Sequence, residues 1–257
     1  MFNIHKRYPW IVTVGLALLF LAAALAGTPI GSQIEKSAGL PVNSGILIQQ
    51  LLLVLFSAAA VTLLGGWRAS GFFKPITWNS LMYAIPPLIG PVFLLLTTGI
   101  ARMDPLQMIM LVVFTAMIGF AEEALCRGVI LQAFLSRGPL QAALFSSIIF
   151  GSMHLVQIFY GMSIGMALLY VVYAGLIGFG FAAPYLRSGG AIWPLILVHG
   201  VYDLLGKMGH GWGAQAQPTS SFEVVVRLVL AVLVGVYGFW LLKRKSSAPV
   251  TLAPAID

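Results

Sequence analysis

Three short patterns in this chain collect residue types that move protons and stabilise charge. The first is Phe120-Ala-Glu-Glu-Ala-Leu-Cys-Arg-Gly128, the second Phe150-Gly-Ser-Met-His154, and the third His199-Gly-Val-Tyr-Asp203. A four-residue spacing places Glu123 with Arg127, and His199 with Asp203, on shared helix faces. Glu122 is turned about 100° from its neighbour and is aimed elsewhere. A carboxylate beside an imidazole can hold a water, take its proton and pass it on, as general base and then general acid. A second imidazole with a hydrogen-bonding partner can donate to an oxygen as a carbonyl becomes tetrahedral. That inventory suits peptide-bond hydrolysis by activated water and needs no serine or cysteine nucleophile.

These groups lie in a chain where charge is scarce. Of 257 residues, 60 % are hydrophobic and 8 % charged, against about 25 % charged in soluble domains. A mean hydropathy of +0.97 excludes an ordinary soluble enzyme and a disordered chain alike, leaving an all-α, polytopic transmembrane helical bundle. The net charge of +7 comes from residues scattered over short connections without interleaved aromatics, so nucleic acid is not an expected partner. The lone Cys126 forbids an intrachain disulfide and a multi-cysteine metal site.

Eight spans are expected, at about Trp10–Ala26, Gly45–Leu64, Leu81–Ile100, Leu106–Leu135, Pro139–Val156, Gly161–Tyr185, Gly190–Leu205 and Phe222–Leu242. Trp10, Trp67, Trp78, Trp193 and Trp240 fall at span ends, where amphipathic rings settle, and Pro86-Pro87 should kink the third span. With the N-terminus inside, the inner segments hold Lys6, Arg7, Arg68, Lys74, Arg137, Arg187, Lys243, Arg244 and Lys245; the outer ones hold Lys36, Arg102 and Lys207. This asymmetry predicts an N-in, C-in topology in a cytoplasmic membrane. Residues 1–257 read as one integral membrane domain with a motif-bearing core at about 106–205. Lys6-Arg7, an apolar run and Ala24-Leu25-Ala26 also imitate a signal peptide; the polytopic remainder favours an uncleaved first helix.

Each charged group at the centre of a span costs about 2.5–3.5 kcal/mol, so Glu122, Glu123 and Arg127 together must be offset by partners. Counted at ~1.5 Å per residue from the inner ends, Glu122 lies ~20 Å deep, His154 ~22 Å and His199 ~14 Å. One site within the membrane, built from the fourth, fifth and seventh spans, is therefore expected.

Glu-Glu-x-x-x-Arg, Phe-x-x-x-His and His-x-x-x-Asp, in this order on separate apolar segments, resemble the motifs of the CPBP family. These are the CAAX prenyl protease and bacteriocin-processing (Abi) membrane proteins, which include type II CAAX endopeptidases. The resemblance implies an intramembrane endopeptidase in which Glu122 and His154 activate water and His199 with Asp203 stabilises the oxyanion. It implies supporting roles for Glu123, Arg127 and Phe150, and cleavage of a membrane-associated protein or peptide near the cytoplasmic side of the bilayer. Position 126, commonly aromatic in the family, is Cys126 here. No cofactor is required by the sequence. Zn²⁺ is a candidate with Glu122, His154 and His199 as its ligands, which would make the protein a metalloprotease. A simple prokaryotic cytoplasmic membrane is the expected location. Two other readings stay open: a non-proteolytic scaffold or immunity-type relative, and a proton-coupled carrier, since buried Glu and His residues also build proton relays.

Overall fold

The computed structural model describes residues 4–214 and 221–244, so Lys245 lies outside the described residues. All the regular structure among them is helical. After a short turn at Ile4–Arg7, we number the helices α1 (Pro9–Ala38), α2 (Gly45–Gly65), α3 (Trp78–Thr98), α4 (Pro105–Arg137), α5 (Pro139–Tyr160), α6 (Ile164–Arg187), α7 (Trp193–Met208) and α8 (Ser221–Lys243). All but α7 are long and apolar enough to cross a membrane. Side chains turned outward from the bundle are large and apolar, among them Ile11, Leu63, Leu96, Phe159 and Val236. In water such a surface would aggregate; in a bilayer it is the solvated face.

α7 has 16 residues, about 24 Å of helix, and its passage across the bundle follows from its neighbours. α6 and α8 run parallel: a Cβ on Gly235 would meet Leu176, one on Gly238 would meet Phe179, and Arg187 Nη1 donates to Arg244 O at 3.1 Å. Two successive long helices can be parallel only if the chain between them returns to its starting side. α7 makes that return, antiparallel to α4, with Gly119 opposite Ile196 and Gly200 opposite Thr115.

The helix ends therefore sort onto two faces. On one, Trp10 packs edge-on against Phe134 and Phe145, Trp193 Nε1 donates to Phe72 O at 2.9 Å, and Lys74 Nζ donates to Gly189 O. Both ends of the described chain lie here, with Arg68, Arg137, Arg187, Lys243 and Arg244; we call it the terminal face. On the other, Tyr160 OH reaches Ala24 O at 3.2 Å, Ala101 N–H donates to Met208 O at 2.9 Å, and Trp212 Nε1 donates to Val42 O at 3.4 Å.

Two departures from the expected spans, and the break expected at Pro86-Pro87, have local causes. α1 continues twelve residues past Ala26, to Ala38, and passes through Pro29. The extension carries Glu35 to the start of α2, where its carboxylate accepts from the N–H groups of Asn43 (3.2 Å) and Gly45 (2.7 Å), as suits an anion at a helix N-terminus. α3 tightens into a 3₁₀ turn at Pro86–Leu88, where the missing proline donors interrupt the α ladder. α2 and α4 each contain a π turn, Val61–Gly65 and Cys126–Ile130, and these turns touch. Ser70 Oγ donates to Gly128 O at 2.7 Å and Ser146 Oγ to Cys126 O at 3.0 Å, so carbonyls loosened from the ladder find donors on neighbouring segments.

The α4–α7 approach sets how close the motif residues on those helices come. A Cβ at Gly119 would lie 2.6 Å from Ile196 O and 2.9 Å from Gly200 N, both backbone atoms that cannot yield cheaply. Gly119→Val should cost about 3 kcal/mol by overpacking. Gly15→Ala, whose Cβ meets nothing within 4 Å, should be neutral or stabilise by about 0.5–1 kcal/mol. Thermal unfolding in detergent checks both; equal effects would sink the packing argument.

Candidate active site

α4, α5, α6 and α7 converge around a charged centre. Glu123 and Arg127, both 0 % exposed, pair through Oε2 and Nε at 3.1 Å. Arg127 Nη2 donates to Gly178 O of α6 at 2.6 Å, and its guanidinium lies over the Phe150 ring of α5 at 5.2 Å. An isolated buried ion would be prohibitive, whereas one that is paired, hydrogen-bonded and stacked is tolerated. Gly178 contributes by its size: a Cβ there would come 2.7 Å from the Phe150 ring.

The other oxygen of Glu123 reaches across to α7. His199 Nδ1–H donates to Glu123 Oε1 at 2.7 Å, and His199 Nε2 lies 3.6 Å from Glu122 Oε2. Phe181 of α6 stacks on the imidazole, with centroids 5.0 Å apart and planes at 20°. The result is an alternating row, Arg127–Glu123–His199–Glu122, with its inner members buried and Glu122 19 % exposed. Because Nδ1 is committed to Glu123, Nε2 is the ring atom His199 can offer to chemistry.

His154 begins a 3₁₀ stretch, His154–Tyr160, that ends α5. Its Nδ1 lies 3.0 Å from Phe150 O. A carbonyl only accepts, so Nδ1 carries the proton and Nε2 keeps its lone pair. Phe150 thus supports three groups: its carbonyl fixes His154, its ring carries Arg127, and that ring also lies 6.2 Å from the His199 ring.

Glu122, His154, His199 and Asp203 all line one cavity of ≈ 240 Å³. The structure therefore brings these four together with Phe150 on the wall. Glu123 and Arg127 stand behind them. Asp203 is half-buried and, among the described residues, makes no hydrogen bond or ion pair; the partner of His199 is Glu123 on another helix. Glu122, His154 and His199 do not form a ligand set as arranged: among the described residues no three His, Cys, Asp or Glu side chains group to hold a metal ion. Cys126 is fully buried beside the ion pair and lines no part of the cavity.

Several lining residues escaped sequence reasoning. Tyr170 and Tyr173 of α6 and Tyr202 of α7 form an aromatic wall, with the Tyr173 and Tyr202 hydroxyls hydrogen-bonded to each other. Tyr202 and Asp203 lie three and four residues beyond His199, a face relationship that was visible in the sequence. Gln49 and Gln50 also reach the cavity, and two amides inside an apolar span were a second usable signal. Lys207 and Arg227 also line the cavity. A neighbouring cavity of ≈ 330 Å³ shares Gln49, Gln157, Tyr160, Tyr170 and Lys207 and continues to Thr28 and Trp212, so the open space leads from the charged row toward the face opposite the termini. Near that face His210 has its pKa lowered from the ordinary imidazole value by partial burial and by the Arg227 cation.

Residues 104–205 match the family model described as type II CAAX prenyl endopeptidase Rce1-like, covering all three motifs. No curated protein and no solved structure matches the chain.

The row makes a stability prediction. Arg127→Met leaves Glu123 buried without its cation and should cost about 3–5 kcal/mol. Adding Glu123→Gln should recover part of that loss, because the neutral amide no longer needs the cation. Thermal unfolding of both single variants and the double variant gives the coupling, and strictly additive effects would refute it.

Proposed function

With residues 104–205 matching the model described as type II CAAX prenyl endopeptidase Rce1-like, we propose that this integral membrane protein is an intramembrane endopeptidase of glutamate type. Its substrate is a membrane-associated protein or peptide. The observation that carries this reading is the single cavity onto which Glu122, His154, His199 and Asp203 open from three helices.

The chemistry follows from what each atom has left to offer. Glu122, at the exposed end of the row, and the bare Nε2 of His154 hold a water by its two hydrogens. Glu122 takes one proton as the water oxygen attacks the carbonyl carbon of the scissile bond. As that carbon becomes tetrahedral, Nε2–H of His199 donates to the carbonyl oxygen, which now carries the negative charge. Collapse breaks the C–N bond, and the proton held on Glu122 passes to the leaving nitrogen. Water's elements end on the two products, and Glu122 is returned as carboxylate.

Glu123 and Arg127 never touch substrate in this scheme. Arg127 pairs with Glu123, Glu123 holds the His199 ring with Nε2 toward the cavity, and Phe150 holds His154. Preorganisation of this kind avoids rearranging dipoles at the moment of reaction. Asp203, half-buried on the same helix as His199, lines the same cavity. No step passes through a metal ion.

The access route refines the expected site of cleavage. The basic terminal face is the cytoplasmic one by the positive-inside bias, whereas the cavity continues toward the opposite face. This supports cleavage near mid-membrane with entry from the side opposite the termini, rather than near the cytoplasmic surface. A prokaryotic cytoplasmic membrane remains the proposed location.

The test compares membrane-protein termini in cells expressing wild type or Glu122→Ala at equal abundance. Specific peptides should lose a processed end in the variant. With the purified protein and a peptide spanning that cut, Glu122→Ala and His154→Ala should each lower turnover by about 10²–10⁴-fold. Coincident terminal profiles would refute the endopeptidase reading.

A further inference from the structure

Gln50 stands on the buried stripe of α2, in line with Leu53, Ser57 and Ala60, and is 6 % exposed. That stripe packs against α4, the helix that carries Glu122. Its neighbour Gln49 is fully employed in holding the bundle: Gln49 Nε2 donates to Ala24 O at 2.9 Å and to Tyr160 OH at 3.0 Å. Gln50 has no such work. Its Nε2 has no hydrogen-bond partner, and the residue lines the cavity shared by Glu122, His154 and His199.

A buried amide left unpaired costs about 1–3 kcal/mol, and an apolar side chain of the same shape would avoid that cost. The stripe is otherwise small or apolar, so nothing in the packing calls for an amide here. A carboxamide is one donor group and one acceptor group held in a plane, and a peptide bond is its complement: C=O accepts from the amide N–H, and N–H donates to the amide oxygen. Whichever way the amide is turned, it presents an atom that an extended peptide can satisfy.

We propose that Gln50 is a substrate-binding residue that hydrogen-bonds the main chain of the peptide lying in the catalytic cavity. It selects for an extended segment with a free backbone amide rather than for a particular side chain. This rests on the endopeptidase reading but adds a residue from α2, outside residues 104–205 matched by the family model.

The test is Gln50→Met, which keeps length and volume and removes both hydrogen-bonding groups. For a peptide spanning the cut site, KM should rise about three- to tenfold, the size of one neutral hydrogen bond, with kcat within about twofold. The melting temperature should hold or rise, because an unpaired buried donor has gone. An unchanged KM, whatever the melting temperature does, overturns the proposal and leaves Gln50 satisfied by water alone. A second measurement needs no turnover. Purified Glu122→Gln protein is melted with a pool of blocked apolar pentapeptides, and with the same pool N-methylated along its backbone. With Gln50 present the unmethylated pool should raise the melting temperature more; with Gln50→Met added, the difference should vanish. A difference that persists, or that is absent from the start, overturns the proposal. The endopeptidase reading fails on a different result, coincident termini in wild type and Glu122→Ala cells.

Discussion

The structure is organised by the need to keep a carboxylate and a guanidinium inside a lipid-embedded bundle. Glu123 and Arg127 are fully buried, and everything next to them serves that condition. Gly178 supplies a carbonyl, Phe150 a π-face, His199 a donor and Phe181 a cover for the imidazole. Four helices are thereby tied to one point by directional contacts. In a bilayer, where apolar surfaces have little preference among partners, such contacts and close small-residue approaches are what specify packing. The polar groups of the cavity inherit their geometry from this knot. His199 is aimed by Glu123, and His154 by the carbonyl of the residue that stacks on Arg127. The orientation of the cavity's polar groups and the stability of the bundle are thus two results of one arrangement.

Much of this was legible in the sequence. Hydropathy marks the long helices because lipid contact demands apolar side chains over a whole span, and the cost of Glu122, Glu123 and Arg127 in such surroundings singles out their helix. The convergence of three motifs on one cavity could be anticipated from depth along each helix. Partners across helices were harder. Periodicity reports neighbours within a helix, and so it offered Asp203 as the companion of His199, four residues on. The hydrogen bond instead goes to Glu123, because α4 and α7 meet through Gly119 and Gly200 closely enough for side chains to cross between them. The π turns were invisible for a similar reason: they depend on what receives the loosened carbonyls, here Ser70 and Ser146, and those partners are distant in sequence.

The two amides of α2 show how one residue type serves different ends at adjacent positions. Gln49 joins α2 to α1 and α5 through Ala24 and Tyr160, a polar clasp of the kind that holds helices together in lipid. Gln50, turned about 100° from it, faces the reactive cavity. The polar lining is therefore not confined to the motifs. It extends over α2, α6 and α8 through Gln50, Tyr173 and Arg227.

α7 carries His199 and Asp203 on a helix of only about 24 Å, against a hydrocarbon core of about 30 Å. It also meets lipid directly, with Leu197 51 % and Val201 41 % exposed. A short span exposed in this way imposes a hydrophobic mismatch, which the bilayer relieves by thinning around it at a modest elastic cost. The cavity lined by His199 and Asp203 lies beside this short helix, so a bilayer thinned around it would bring water nearer to those polar groups. Acyl-chain length would then matter: thicker bilayers would resist such thinning and thinner ones accommodate it, changing how near water comes to that cavity.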